Sequence, residues 1–272
     1  MPDEALTEGL TLLNSERFTV QSDGSQGGKI TSIYDHEFAR NLLLDDIGHA
    51  RLQLEDDAEF GISGWDEAFP TLEPSSDAPT LGWAWRTQPE VLAEDRKLIH
   101  KWQILGWEFE RRIILDGSTI KVCVNCRNFT GVAAKALWAS HVLYPLAGTR
   151  QITLPEGDLV AGPGCDISEV FGMMQTASFA RQLSSFDSVA KSWKFFVNAG
   201  APVTLDYGDL VLKLETDAPW WGIWLNLGWM GLSCVGIEPT NAPTDHQHEV
   251  QEPVQAGESV TYNWSLSVEA KQ

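Results

Sequence analysis

The chain has 272 residues, with 19 Lys+Arg against 38 Asp+Glu and a formal net charge of −19. That balance excludes nucleic acid as the main partner, because phosphate binding needs a basic stripe, and it argues against attachment to an anionic membrane surface by charge. Hydrophobic residues make up 43% of the chain, enough for a sizeable core, and 12 Trp against 4 Tyr is the unusual count among them.

The first fifteen residues, Met1 to Ser15, are acidic and hold no apolar core behind a basic stretch, so no secretory signal is expected. Arg17 to Gln21, Lys29 to Tyr34 and Arg51 to Leu54 read as short strands. The acidic run from Glu55 to Glu59 reads as a solvated turn. Arg111 to Leu115 and Thr119 to Val124 flank Asp116-Gly117-Ser118, a hairpin signal because Asp-Gly tolerates positive φ. In the second of these strands Ile120, Val122, Val124 and Cys126 alternate with Lys121, Cys123, Asn125 and Arg127. Cys123 and Cys126 have the CxxC spacing, but residues three apart on a strand face opposite ways, so no shared metal or bridge is expected.

Further along, Phe195 to Val197 and Val203 to Leu205 flank a turn over Asn198 to Pro202. Leu210, Leu212 and Leu214 alternate with polar or smaller residues. The stretch from Pro219 to Met230 is broken by Gly222, Asn226 and Gly228 and reads as a buried strand. Val260, Tyr262, Trp264, Leu266 and Val268 alternate with Thr261, Asn263, Ser265, Ser267 and Glu269, a half-buried strand. Strands at this density, with Gly and Pro between them, imply a large antiparallel sandwich or barrel. No linker-like segment or fixed repeat interrupts it, so residues 1–272 are expected to form a single domain. No apolar run reaches about 18 residues, which predicts no membrane span. Four Cys make no disulfide framework, and a reduced, cytoplasmic compartment is the expectation.

The chain has no GxSxG, Walker loop, HExxH or GxGxxG, which removes most nucleotide and metalloprotease readings. Three segments hold groups suited to chemistry. Gly64-Trp65-Asp66-Glu67-Ala68-Phe69-Pro70-Thr71 sets two carboxylates beside an indole, as a sugar site requires, and equally suits a surface turn. Trp138 to Leu146 carries His141 inside an apolar strand: a satisfied core His, or a general acid if it faces a cleft. Gly236-Ile237-Glu238-Pro239-Thr240-Asn241-Ala242-Pro243 follows the strand Leu232 to Val235, and a Glu there is costly unless paired or used. His246 and His248 have same-face spacing but no evident third metal ligand, so no metal is expected. The long loops from Pro70 to Thr87 and from Pro155 to Glu169 are expected to serve function.

Taken in order, these segments resemble the aldose 1-epimerase (galactose mutarotase-like) superfamily, and more closely its uncharacterised bacterial branch. Gly27-Gly28-Lys29-Ile30-Thr31-Ser32-Ile33-Tyr34-Asp35 is similar to the early GGKI strand, and Gly64 to Thr71 to the loop ending in FPT. Trp193-Lys194-Phe195-Phe196 is similar to a KLF segment. Trp221 to Asn226, Val235 to Pro243 and Ala256 to Val260 resemble the family's closing segments. The matches run from about residue 16 to 268. The resemblance implies an all-β fold, a large antiparallel β-sandwich with a sugar in a cleft on one sheet. It implies ring opening and closing of an aldose, with Glu238 as the general base, His141 as the general acid, and no cofactor. Trp65, Asp66 and Glu67 would hold the sugar, and Lys194 would contact a hydroxyl or an acidic substituent.

One departure stands out. Where the family carries a His in a stretch like PDHGELW, this chain reads Pro79-Thr80-Leu81-Gly82-Trp83-Ala84-Trp85, with Leu81 at the His position. Trp65, Trp83 and Trp85 are expected to border the cleft. The departure keeps open a carbohydrate-binding or regulatory protein with lost or weakened catalysis, and the carboxylates separately allow a glycoside hydrolase or lyase pairing Glu238 with Asp66 or Glu67.

Overall fold

The computed structural model describes residues 9–46, 50–54, 58–162, 165–166 and 191–271. The first half of the chain contributes β1 (Leu10–Asn14), β2 (Phe18–Asp23), β3 (Lys29–Asp35), β4 (Arg40–Asn41), β5 (Arg51–Gln53), β6 (Glu59–Gly61), β7 (Trp65–Ala68), β8 (Glu90–Glu94), β9 (Lys97–Ile104), β10 (Trp107–Asp116) and β11 (Thr119–Asn128). The second half contributes β12 (Ala139–Pro145), β13 (Gln151–Thr153), β14 (Leu159–Ala161), β15 (Lys191–Asn198), β16 (Val203–Asp206), β17 (Leu210–Thr216), β18 (Trp220–Leu227), β19 (Ser233–Thr240) and β20 (Ser259–Ala270). Among the described residues these form a ten-stranded sheet in the order β1-β2-β3-β7-β12-β19-β18-β15-β14, with β4 beside β3. An eight-stranded sheet runs β13-β16-β17-β20-β11-β10-β9-β8, and β5 pairs with β6. The fold is an antiparallel β-sandwich, as the strand density implies.

Alternation builds the layers. On the ten-stranded sheet, Trp65, Val142, Ile237, Ile223 and Phe195 turn inward. They meet Ile113, Val122, Leu212 and Leu266 of the eight-stranded sheet in one buried cluster. Each such side chain contributes about 1.5–3 kcal/mol by leaving water. The tight β10–β11 hairpin closes at Asp116↔Thr119, with Gly117 at φ 58, as the Asp-Gly signal predicts. Cys123 is half-buried and Cys126 buried, on opposite faces of β11, and both are free thiols.

Two expectations need correction. The turn over Asn198 to Pro202 does not close a hairpin: β15 pairs with β14 and β18 in one sheet, and β16 pairs with β13 and β17 in the other. That segment therefore carries the chain across the sandwich. Secondly, the strand starting near Leu232 does not end at Val235; β19 runs on through Glu238 and Pro239 to Thr240, held between β12 and β18. Proline removes one ladder donor there, and pairing on both sides keeps the strand extended. Most of the acidic run Glu55 to Glu59, and a third of the loop from Pro155 to Glu169, lie outside the described residues; β14 lies within that loop.

A second, smaller apolar layer covers the outer face of the ten-stranded sheet. Leu143, Ala139, Ala68 and Cys234 from the sheet pack against Phe60, Leu72 and Leu81 from the strands and loops above. Phe60 comes from β6, and Leu72 and Leu81 from the long loop Pro70 to Thr87.

Candidate active site

A cavity of about 280 Å³ opens within this outer layer. His141, Lys194, Trp224 and Glu238 form its sheet side, and Phe60, Leu72, Glu73, Thr80, Leu81, Trp229 and Asp245 are among the residues that enclose it. The size is close to the lower end of small-molecule sites, about 300–1,000 Å³.

Strand register brings the polar groups together. β12 pairs with β19 so that Ala139 opposes Thr240 and Leu143 opposes Gly236, which sets His141 opposite Glu238. Glu238 in turn lies opposite Gly222 on β18, and Lys194 of β15 lies opposite Trp224. Lys194 Nζ donates to Glu238 Oε2 in a short ion pair. Its path crosses Gly222, where a Cβ would stand 3.4 Å from Nζ and 3.3 Å from Glu238 Oε2. A Cβ at Gly236 would stand 2.8 Å from Glu238 Oε1. The two glycines thus make the space in which the carboxylate sits. His141 Nε2 is 3.8 Å from Glu238 Oε1.

The electrostatics follow from burial. Burial pushes Glu238 above the usual carboxylate range, with Lys194 opposing it. For Lys194 burial works against the ammonium, and Glu238, then Asp245, more than offset it, so its pKa is raised. His141 is pushed down to about 3, first by burial and then by the positive charge of Lys194. The imidazole is therefore neutral near pH 7. Three buried atoms in this small space make no hydrogen bond among the described residues: His141 Nδ1, Glu238 Oε1 and Asp245 Oδ1. Unsatisfied buried polar atoms are rare in native proteins, and three in one cavity mark a place for water or a polar ligand.

The structure brings His141, Glu238 and Lys194 into one site, sets Asp66 opposite His141 on the same face, and separates Trp65 and Glu67 from them. Trp65 is fully buried between the sheets, edge-on to Trp264 at 4.9 Å. Glu67 is also in the inter-sheet core, where it accepts from Trp65 Nε1 (2.9 Å), Trp138 Nε1 (2.8 Å) and Ser140 Oγ (3.0 Å) and pairs with Arg111 at 3.4 Å. Trp65 and Glu67 are thus withdrawn as sugar contacts, and Glu67 as a hydrolytic partner of Glu238. Asp66 faces the cavity side, but its carboxylate is taken by Lys29 Nζ at 2.6 Å and it does not line the cavity. The reason is that Trp65–Ala68 is a strand, so consecutive residues cannot share a face.

The expected indoles are also displaced. Trp224 and Trp229 line the cavity, Trp224 with its ring 6.0 Å from that of His141. Trp85 instead backs Phe60 at 5.1 Å, and Trp83 packs on the inter-sheet core. Leu81 does line the cavity, where the resemblance places a His. Asp245 and Glu73 went unread in the sequence; Asp245 stands two residues beyond the Pro243 that ends the Glu238 segment, which is the one local signal for it. No cluster of three or more metal-ligating side chains occurs among the described residues, and no helix there is long and apolar enough to cross a membrane.

Comparison with solved structures decides the architecture. A galactose mutarotase-like protein from Lactobacillus casei superposes with a TM-score of 0.69 at 13% identity, covering 96% of this chain and 100% of the other. The chain has the galactose mutarotase-like fold. A putative aldose 1-epimerase from Escherichia coli K12 shares this mutarotase-like fold at a TM-score of 0.67 and 15% identity, covering 96% and 99%. Galactose 1-epimerase from Lactobacillus acidophilus matches at 0.64 and 11%, covering 97% and 95%. No protein-family model and no curated protein matches the chain. At these identities the likeness carries the mutarotase-like fold, and function rests on the site itself.

Proposed function

We propose that the protein interconverts the α and β anomers of an aldose or aldose derivative. The observation that carries this reading is the opposition of Glu238 Oε1 and His141 Nε2, both buried, both at the wall of a monosaccharide-sized cavity, with Lys194 holding the other carboxylate oxygen. Ring opening needs a base at the anomeric hydroxyl and a donor at the ring oxygen. Glu238 is the base, acting through its free Oε1. A neutral imidazole can still act as an electrophile by donating its N–H. His141 therefore donates its N–H as a hydrogen bond to the ring oxygen, not as a standing imidazolium, and the proton that Glu238 takes from the anomeric hydroxyl is the one that ends on the ring oxygen. Rotation about C1–C2 of the open aldehyde, followed by the reverse proton movements, yields the other anomer. Trp224 and Trp229 offer apolar faces to the C–H surface of the ring. Lys194 holds Glu238 in place and opposes the rise that burial gives its pKa. No cofactor enters these steps.

The test is anomer exchange of a panel of aldoses followed by saturation-transfer NMR, with Glu238→Gln as control. Exchange that survives this substitution would remove Glu238 from the role of base. The second reading, a sugar-binding protein without catalysis, is favoured by Leu81 in the cavity wall, which leaves that wall apolar where the resemblance implies a His. Calorimetric binding of sugars with no exchange above the uncatalysed rate is the result that selects it.

A further inference from the structure

The cavity holds more acid than a proton-exchange pair requires. Asp245 lines it together with Lys194, Glu238 and Glu73. The residue is only 7% exposed, and its Oδ1 is buried without a hydrogen-bond partner among the described residues. Its backbone is pinned: the Asp245 carbonyl accepts from the N–H of Leu72 (3.1 Å) and of Glu73 (2.8 Å), and from Thr71 Oγ1 (3.4 Å). A carboxylate oxygen held in a buried position with no donor is costly unless a ligand supplies one. Burial also pushes Asp245 above its ordinary range, with Lys194 opposing and Glu238 adding to the rise. An incoming cation or strong donor would reverse that penalty.

The charge inventory of the wall points the same way. Three carboxylates, Glu73, Glu238 and Asp245, stand against one ammonium, Lys194, whose short ion pair with Glu238 is already made. His141 adds no charge in its neutral form. Lys29, on the same side of the sheet, is paired with Asp66. An anionic substituent would meet no uncommitted cation among these groups, so Lys194 is poorly placed to receive the acidic substituent that its sequence position suggested.

We propose that Asp245 is a specificity-determining residue: its free carboxylate oxygen receives an O–H or N–H donor from the sugar, and the cavity takes neutral and amino-substituted aldoses while turning away sugar phosphates and uronates. This rests on the reading of the cavity as a sugar site but not on catalysis in it. An ammonium brings an opposite charge to the carboxylate as well as a donor, so it gains more here than a hydroxyl.

The experiment is calorimetric binding to the full chain at pH 7, in gluco- and galacto-configured series of the neutral aldose, the 2-amino-2-deoxy aldose, the 6-phosphate and the uronate, for the wild-type protein and Asp245→Asn. The expected result is an amino sugar bound several-fold more tightly than the neutral sugar, with both anions at least tenfold weaker. Asp245→Asn, which keeps the shape, is expected to erase the amino preference and to narrow the penalty on anions. Anions that bind the wild-type protein as well as the neutral sugars overturn the proposal, as does an unchanged ranking in a folded Asp245→Asn protein. Should the variant not fold, the wild-type ranking decides. A wild-type protein that exchanges anomers and binds neutral sugars without this ranking overturns this inference alone, whereas no binding in any series overturns it together with the sugar reading.

Discussion

Asp66 and Glu67 are neighbours in the chain and lie on opposite faces of the same sheet: Asp66 is bound to Lys29 beneath the outer layer, and Glu67 is bound to Trp65, Trp138, Ser140 and Arg111 between the sheets. Glu67 therefore belongs to stability. Glu67→Gln places an amide N–H₂ among donors and leaves Arg111 without its anion, and breaking a buried pair typically costs about 3–5 kcal/mol. Chemical denaturation is expected to show a loss of that order. Sugar affinity, measured by calorimetry on the folded fraction, is expected to stay within about twofold; a selective loss of affinity at unchanged stability would return Glu67 to the site.

Gly236 and Gly222 leave the space that Glu238 occupies. Gly236→Ala brings a Cβ within 2.8 Å of Oε1, the oxygen assigned to catalysis, so the carboxylate must turn aside. Overpacking of this kind costs about 1–3 kcal/mol, and a misplaced catalytic group loses about 10²-fold in rate. Gly222→Ala meets its neighbours at 3.3–3.4 Å and is expected to be milder on both counts. Thermal melts and NMR exchange on the two variants check the order; equal rates in both would show that the position of Oε1 does not matter.

Lys194→Met removes the partner that opposes the burial of Glu238. The Glu238 pKa is then expected to rise further, and the acid limb of the pH–rate profile, which reports the ionisation of the base, to move to higher pH. An unshifted limb with a lower rate would mean that Lys194 acts on the sugar and not on Glu238. Pairing Lys194→Met with Glu238→Gln in a double-mutant cycle is expected to give a coupling energy of a few kcal/mol, because the second change removes the charge that the first left unpaired.

The depressed His141 makes stability depend on pH with a definite sign. Its folded pKa of about 3 lies below the ordinary value of 6.5, so between these limits the unfolded chain binds more protons than the folded one. Stability from this group is fully present above about pH 6.5 and is lost as pH falls toward 3. His100, buried and held well below its ordinary value by burial and then by Arg111, acts in the same sense. The buried acids with raised pKa, Glu67, Glu238 and Asp245, act in the opposite sense. His141→Asn is expected to remove part of the acid-side loss, of order a few kcal/mol at most, seen as a flatter profile of unfolding free energy between pH 6.5 and 4. An unchanged profile would place the titrating group elsewhere.

Strand identity was legible wherever one face meets water. The alternation in Val260 to Val268 and in Ile120 to Cys126 is the burial alternation of β20 and β11. It was illegible around Trp65, where all four residues of β7 are buried, because both faces of the ten-stranded sheet are covered and the hydrophobic period disappears. Without that period, Trp65-Asp66-Glu67 looked like one polar cluster. The same cause hid the length of β19, buried at every position but its first.

By itself, then, the order of residues determined the class of fold, an antiparallel sandwich, and marked Glu238 as a carboxylate costly to bury without a use; it left His141 between a core residue and an acid, and Lys194 entered only through the family resemblance. Only the tertiary structure decided which of the candidates meet. β12, the consecutive pair β19 and β18, and β15 lie side by side, and their register sets Glu238 against His141 and under Lys194. It also brought in Asp245, Trp224 and Trp229 and sent Trp65 and Glu67 to the opposite face. Register and facing are properties of strand pairing, and pairing is set by packing between segments far apart in sequence, which local spacing does not encode.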